Sequence, residues 1–329
     1  MEKKQDNLME ISNLTVRYNT DDAVVHAVNN FNLKLVRGEA RGLVGETGAG
    51  KTTLALSILR LLPERVGEVT GGSIVYDGQE LLNLPEAEML PLRGKRISMI
   101  FQDPMTSLNP TQTVGDQILE VLNLQFPEMT RDEKNKRVDE MMTLVGIPPQ
   151  RKKSFPHEFS GGMKQRVVIA MALVAEPELL LADEPTTALD VTIQAQILEL
   201  MKQLREKFNT SVMLITHDLG VVAQFCDSVS VVYAGRVVEY GPVEIVFQRK
   251  ENHPYTAGLF NCIPNLHDDQ PRLHPIAGHM ADPRVEYKGC CFADRCEYAT
   301  ERCRTEAPSM HVCGEHGILC HRYAEKEEF

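Results

Sequence analysis

The chain of 329 residues has no long apolar run. Its longest uninterrupted one, residues 167–175, falls far short of the roughly 20 residues a bilayer-spanning helix needs, so no membrane span is expected. Positive charge is also sparse: 35 Lys and Arg stand against 46 Asp and Glu, a net charge of −11. Nucleic-acid affinity draws largely on neutralising phosphates, so this balance argues against a DNA or RNA partner. The opening residues Met1-Glu2-Lys3-Lys4-Gln5-Asp6 lead into no apolar segment. A secretory leader is therefore not expected, and a cytoplasmic location is. The chain carries no internal repeat and no low-complexity tract. Cysteine is scarce until the end: of eight, Cys226 and Cys262 are scattered and six lie between Cys290 and Cys320. In a reducing compartment such a cluster binds metal more readily than it forms disulfides.

What is present suffices for a large core. Hydrophobic residues make up 43% and charged residues 25%, which suits one large or two modest globular domains. Residues 9–16 and 31–36 alternate apolar and polar, as half-buried antiparallel strands do. A strand at 41–44 runs into a glycine-rich loop, and 52–61 reads as a helix. Between about 104 and 160 short amphipathic stretches, 114–124 and 131–145, predict a helical insert. Helix 162–175 then precedes strand 179–183, and helix 191–208 precedes strand 211–216. Such alternation implies a largely parallel sheet with helices on both faces. After residue 246 the pattern weakens, and Pro254, Pro264, Pro271, Pro275 and Pro283 divide the rest into loops and short pieces.

Gly45-Glu46-Thr47-Gly48-Ala49-Gly50-Lys51-Thr52 fits G-x-x-x-x-G-K-[ST], with a predicted strand before it and a helix after it. Glycines let the backbone curl so that N–H groups point inward, and with the helix start behind them they bind a polyphosphate. Lys51 adds a point charge, and the Thr52 hydroxyl suits Mg²⁺. By itself the loop says only that a nucleoside triphosphate binds, because kinases and GTPases share it.

Leu179-Leu180-Leu181-Ala182-Asp183-Glu184 is an apolar strand ending in two acids. Successive strand side chains point opposite ways, so the acids need not share a role. Asp183 suits the Mg²⁺ shell, and Glu184 can polarise a water for attack on a γ-phosphate. Gln102, after the strand 97–101, has the reach to touch Mg²⁺ and that water. His217, after the strand 211–216, is placed to sense the γ-phosphate. Phe159-Ser160-Gly161-Gly162-Met163 opens a second helix, with Ser160 in N-cap position and two glycines leaving backbone N–H groups accessible. One nucleotide does not need two such cradles. The economical reading is that this one contacts ATP held by another subunit, in a head-to-tail pair.

The order of phosphate loop, Gln102, Ser160-Gly161-Gly162, Asp183-Glu184, Ala188-Leu189-Asp190 and His217 resembles the ABC transporter ATPase family. The resemblance implies a P-loop NTPase cassette of α/β class, with a mixed sheet core, an antiparallel β subdomain and the helical insert, over about residues 8–250. It implies that Tyr18 stacks on adenine. ATP would be bound by Gly45, Glu46, Thr47, Gly48, Ala49, Gly50, Lys51, Thr52 and Thr53, with Gln102, Ser160, Gly161, Gly162, Asp190 and His217. Mg²⁺ would be held by Thr52, Gln102 and Asp183, and the catalytic groups would be Glu184, His217 and Gln102. Met163 departs from the family's usual glutamine, which puts any side-chain role at that position in question.

Residues 251–329 are expected to form a small, irregular region stapled by metal. Cys290, Cys296, Cys303 and Cys320 offer four thiolates for zinc or an iron–sulfur cluster. No close C-x2-4-C pair lies among them, which favours a cluster. Together with Asn252-His253-Pro254-Tyr255-Thr256 and Pro275-Ile276-Ala277-Gly278 this tail resembles oligopeptide/dipeptide importer ATPases. Those carry a [4Fe-4S] cluster on four cysteines. Cys291 stands where proline is usual, Cys313 is extra, and His311, His316 and His321 are further candidate ligands. The resemblance implies ATP-driven import of di- or oligopeptides, or of nickel, glutathione or another small solute. It also implies a related second ATPase subunit, two integral membrane permeases, an extracellular solute-binding protein, and a peripheral position on the cytoplasmic face of a bacterial inner membrane. A soluble ABC ATPase acting on ribosome or DNA is the rival reading. The single cassette, the lack of a long coiled coil and the lack of a basic patch weigh against it.

Overall fold

The computed structural model describes residues 6–187, 189–248, 250–262 and 275–324. Ala188, Pro264 and Pro271, named above, lie outside them. The strands are β1 (Asn7–Asn19), β2 (Val24–Val36), β3 (Ala40–Val44), β4 (Gly67–Tyr76), β5 (Gln79–Glu80), β6 (Ile97–Ile100), β7 (Leu179–Asp183), β8 (Ser211–Thr216), β9 (Ser228–Tyr233), β10 (Arg236–Pro242), β11 (Met310–Cys313) and β12 (His316–Leu319). The helices are α1 (Lys51–Ile58), α2 (Glu86–Met89), α3 (Pro104–Ser107), α4 (Val114–Gln125), α5 (Arg131–Leu144), α6 (Gly161–Leu173), α7 (Val191–Phe208), α8 (Leu219–Phe225), α9 (Val243–Phe247), α10 (Pro254–Asn261) and α11 (Glu301–Thr305). Among the described residues no helix is long and apolar enough to cross a membrane.

The chain divides into two compact units. One is built from Val36–Ala40 and Asn83–Ile215. In it β6, β7 and β8 run parallel, with Ile97 opposite Leu179 and Leu179 opposite Ser211. Every residue of β7 and β8 is buried. A parallel strand covered on both faces reads as a continuous apolar run, which is why Leu179-Leu180-Leu181-Ala182 carries no alternation. The insert contains α3, α4 and α5. Helix α5 begins with a capping box: the Thr130 side chain accepts from the Glu133 N–H, and Glu133 accepts from the Thr130 N–H. The Asp190 carboxylate caps α7, which ends at Asn209 in the left-handed region, φ 51°.

The other unit contains the described parts of Asn7–Leu35, Arg41–Leu82 and Thr216–Phe329. Its antiparallel sheet has the order β2-β1-β4-β5, and its second set of strands the order β11-β12-β10-β9-β3. Strands β3 and β9 pair parallel there, whereas β9, β10, β12 and β11 pair antiparallel, so the sheet is mixed. Strands β1 and β2 are longer than the alternation indicated, and β1 carries register shifts against β4 at Ser12/Thr15 and Thr15/Val16.

The C-terminal region differs from expectation. It is not merely irregular: β11 and β12 form a hairpin, and β12 adds to β10 with Ile318 opposite Glu239. Protein contacts hold it. The fully buried Glu239 accepts from the Asn252 side chain at 2.7 Å and the His253 N–H at 2.8 Å, and His316 Nε2 lies 2.8 Å from its Oε1. A buried carboxylate is tolerated only with such partners. Tyr323 donates to the Asn252 carbonyl at 2.8 Å. Metal stapling is not what the structure displays: among the described residues no group of three or more His, Cys, Asp or Glu is placed to hold a metal ion.

Replacing His316 with alanine removes one partner of Glu239. We expect a loss of about 1–3 kcal/mol in global stability, the cost of an under-satisfied buried polar group. Denaturant unfolding measures the loss, and hydrogen exchange should quicken selectively in β12.

Candidate active site

The second unit holds the loop that links β3 to α1. Gly50, the N-cap of α1, lies at φ 94°, and a Cβ there would meet the Ala27 carbonyl oxygen at 2.1 Å. Only glycine satisfies both conditions. Lys51 opens α1 and is 7% exposed. Its ammonium donates to the Gly45 carbonyl at 2.7 Å and the Glu46 carbonyl at 2.9 Å, which folds the loop round it. The Glu46 N–H donates to the Tyr255 hydroxyl at 2.9 Å, and the Gly235 N–H donates to the Ala49 carbonyl at 3.0 Å. Tyr18 is brought to the same helix, its hydroxyl donating to Thr53 Oγ1 at 3.2 Å. His217 follows β8 and is exposed.

The first unit holds the acids. Asp183 ends β7 and is 2% exposed. Glu184 lies at φ 47°, in the left-handed region that glutamate seldom enters. Its N–H donates to the Ile215 carbonyl at 2.9 Å, which fixes the turn. Its Oε2 accepts from Gln102 Nε2 at 3.3 Å and from the Thr187 hydroxyl at 2.9 Å. Gln102 and Glu184, 82 positions apart, are thus brought together. Asp190 is engaged as a helix cap, its Oδ1 accepting from the Ile193 N–H at 2.9 Å.

Ser160 occupies the N-cap of α6 without a side-chain capping bond, and it is exposed with Gly161. The two glycines differ. A Cβ on Gly162 would meet Ile193 Cγ2 at 2.6 Å, so that glycine serves the packing of α6 on α7. A Cβ on Gly161 would meet nothing among the described residues closer than Leu189 at 3.9 Å, so none of them demands a small residue there. Met163 is held by the insert: Arg151 Nη1 lies 3.6 Å from its sulfur. The same guanidinium sits 4.2 Å from the Phe159 ring centroid and donates to the Glu158 carbonyl at 2.9 Å. A cavity of about 800 Å³ along α5, lined in part by Lys136, Arg137, Glu140 and Lys207, includes none of the expected site residues.

The thiols of the C-terminal region act on one another. Burial first, then Cys291, with smaller pushes from Cys320 and Cys303, raises the Cys290 thiol to about 12. Cys296 is raised by burial and by Cys303, and Cys320 by burial and by Cys296 and Cys303. Burial raises Cys291 to about 11.

Four groups escaped the sequence reading: Thr187, Arg151, Tyr255 and Arg295. Thr187 lies three positions from Glu184, within reach of a local search for hydroxyls. Tyr255 and Arg295 meet Glu46 across 209 and 249 positions, and no local signal predicts either contact.

A profile for ABC transporters matches residues 28–187, and one for the oligopeptide/dipeptide transporter C-terminal region matches residues 238–303. The chain is 47% identical over 326 residues to the oligopeptide transport ATP-binding protein OppD of Haemophilus influenzae, covering 98% of each. It is 46% identical over 318 residues to the dipeptide transport ATP-binding protein DppD of Bacillus subtilis, covering 96% of this chain and 94% of that one. Among solved structures, the dimeric post-hydrolysis state of the ATP-binding cassette MJ0796 bound to ADP and Pi superposes with a TM-score of 0.64 at 28% identity. It covers 71% of this chain and 98% of that one.

A raised thiol stays neutral, and unreactive, until the pH nears its own value. At pH 8 burial therefore keeps the Cys290 and Cys291 thiols almost wholly neutral. In metal-free protein a brief iodoacetamide pulse at pH 8 should label the exposed Cys262 well before Cys290 or Cys291, as peptide mapping by mass spectrometry would read.

Proposed function

The chain belongs to the ABC transporter family, in its oligopeptide and dipeptide branch, and on that premise we propose that it is the ATP-hydrolysing subunit of an importer of di- and oligopeptides. One observation carries this reading. Likeness to a transport ATP-binding protein spans 98% of both chains, through the cassette and the C-terminal region alike.

In this reading the loop of residues 45–52 receives the triphosphate. Its backbone donors and the start of α1 favour an anion, and bound phosphate competes with the Gly45 and Glu46 carbonyls for Lys51. Tyr18, tied to Thr53, offers a ring for adenine. Thr52, Gln102 and Asp183 supply hydroxyl, amide and carboxylate oxygens, a donor set that fits Mg²⁺, and they would hold that ion, which neutralises charge on the phosphates. Glu184 accepts the proton of the attacking water. Gln102 and Thr187 hold its carboxylate meanwhile. His217 is assigned to the γ-phosphate.

Ser160 and Gly161, both exposed, with no described residue packed on Gly161, are assigned to the nucleotide of a second cassette related to this one. Closure of the pair on ATP and its reopening after hydrolysis would move two membrane permeases, fed by an extracellular binding protein. The subunit would sit peripherally on the cytoplasmic face of the membrane. ATP drives the cycle only through its greater affinity for the closed pair.

Cys290, Cys296, Cys303 and Cys320 would hold a [4Fe-4S] cluster in this reading. The four thiolates are a donor set of the kind such a cluster takes, and this chemistry alone supports the assignment. The cluster would lend structural rigidity; the ATP chemistry needs nothing from it.

Glu184→Gln is expected to lower ATP turnover at least 100-fold and to trap an ATP-dependent pair with the partner cassette. A variant that stays monomeric with saturating ATP and its natural partner would refute the mechanism. Uptake of labelled dipeptide, compared with nickel and glutathione in membrane vesicles of the assembled transporter, decides the solute. Protein purified anaerobically should absorb near 400 nm; a colourless, zinc-loaded product would refute the cluster.

A further inference from the structure

The phosphate loop is not held by the cassette alone. Its second residue, Glu46, is gripped from the C-terminal region on both its main chain and its side chain. The Arg295 guanidinium meets the Glu46 carboxylate with two parallel bonds, Nη1 to Oε2 at 2.7 Å and Nη2 to Oε1 at 3.1 Å. This fork-on-fork geometry fixes direction as well as distance. The Arg295 side chain is 5% exposed and that of Glu46 28%, so the guanidinium side of the pair is buried while the carboxylate keeps some contact with solvent. Its remaining donors are also engaged: Nε donates to the Ala277 carbonyl at 3.1 Å and Nη2 to the Ile276 carbonyl at 3.4 Å. The second grip is the Tyr255 hydroxyl, which accepts the Glu46 N–H at 2.9 Å.

Both gripping residues rest on one aromatic wall. Tyr233, Tyr255 and Phe292 stand with ring centroids 4.7 Å, 5.2 Å and 5.4 Å apart, and the Arg295 guanidinium lies 5.8 Å from Tyr233 and 5.9 Å from Phe292. Arg295 is also the last residue of the short turn Ala293–Arg295, directly before Cys296. The Cys296 N–H closes that turn on the Ala293 carbonyl, and the Cys290 N–H donates to the Cys303 carbonyl at 2.7 Å. The segment that sets Arg295 is therefore the segment that bears the thiols.

Glu46 in turn shapes the loop, because its carbonyl, like that of Gly45, accepts from the Lys51 ammonium. We propose that Arg295 and Tyr255 are positioning residues of the phosphate loop: by fixing Glu46 they set how tightly the loop grips a nucleotide, and the cysteine-bearing segment acts on nucleotide affinity through them. The inference rests on the assignment of the loop as the nucleotide site. It adds that the C-terminal region, besides extending the sheet, is part of the site's support.

The test uses the full chain, with MgADP as the probe and its dissociation constant as the main readout. Arg295→Met should weaken MgADP roughly tenfold, the scale on which loss of a supporting contact acts at a bound ion. Arg295→Lys should recover part of that loss, since a point charge replaces the fork. Tyr255→Phe deletes a single hydroxyl from a packed ring; it should weaken binding by a smaller factor and serves as the deciding variant if Arg295→Met does not fold. Adding Glu46→Gln to Arg295→Met should cost nothing further, because both act through the same pair. Cys296→Ser should weaken MgADP in the parent but not in the Arg295→Met background. A merely structural role would lower the nucleotide-free melting temperature and leave the dissociation constant unchanged; that result overturns the inference, as does full additivity of the Arg295 and Glu46 changes. Lys51→Ala separates the two levels. If it abolishes binding while Arg295→Met and Tyr255→Phe bind as the parent does, the inference alone fails. If Lys51→Ala itself binds normally, the nucleotide assignment fails and the inference with it.

Discussion

Parallel strands covered on both faces leave polar chemistry one place to emerge, their carboxyl ends, and this constraint governs where the chain presents its candidate site residues. Strands β7 and β8 are buried along their whole length. Asp183 is the last residue of β7 and Glu184 the first beyond it, Gln102 lies just past β6, and His217 follows β8 directly. In the other unit the phosphate loop departs from the end of β3, which pairs in parallel with β9. The apolar interior supplies rigid rails. The turns that leave them present the side chains, with backbone bonds such as Glu184 N–H to Ile215 O setting the angle of departure.

The same dependence on burial explains the C-terminal region. Glu239 is a fully buried acid in β10, and each of its neighbours comes from beyond the cassette's last strand: Asn252, His253 and His316. Without them β10 would carry a desolvated carboxylate at a cost of several kcal/mol. The extension is therefore a requirement of the sheet rather than an ornament upon it. Arg295 and Tyr255 repeat the pattern at Glu46, where an acid of the cassette is again satisfied from outside it.

Local spacing made much of this readable. Gly45 to Thr52 announce themselves because a loop that cradles phosphates must place its glycines, its lysine and its hydroxyl at fixed intervals. The strand-end acids are readable because an apolar run that stops at Asp183-Glu184 has no structural reason to end on two charges. Helix α6 was readable from Ser160, although the structure denies its hydroxyl the capping bond that suggested it. What stayed hidden depends on long-range contact. The hairpin of β11 and β12 spans strands of four residues each, too short for a period to register. Gly162 looked like a twin of Gly161 until Ile193 was found against it.

Glu184 holds a conformation that costs an ordinary L-residue about 1–3 kcal/mol and costs glycine almost nothing. Selection for heat tolerance alone would accordingly reward exchange of this residue for glycine, gaining robustness while discarding the carboxylate. On the role proposed for Glu184, a carboxylate kept in so unfavourable a backbone would set durability against turnover.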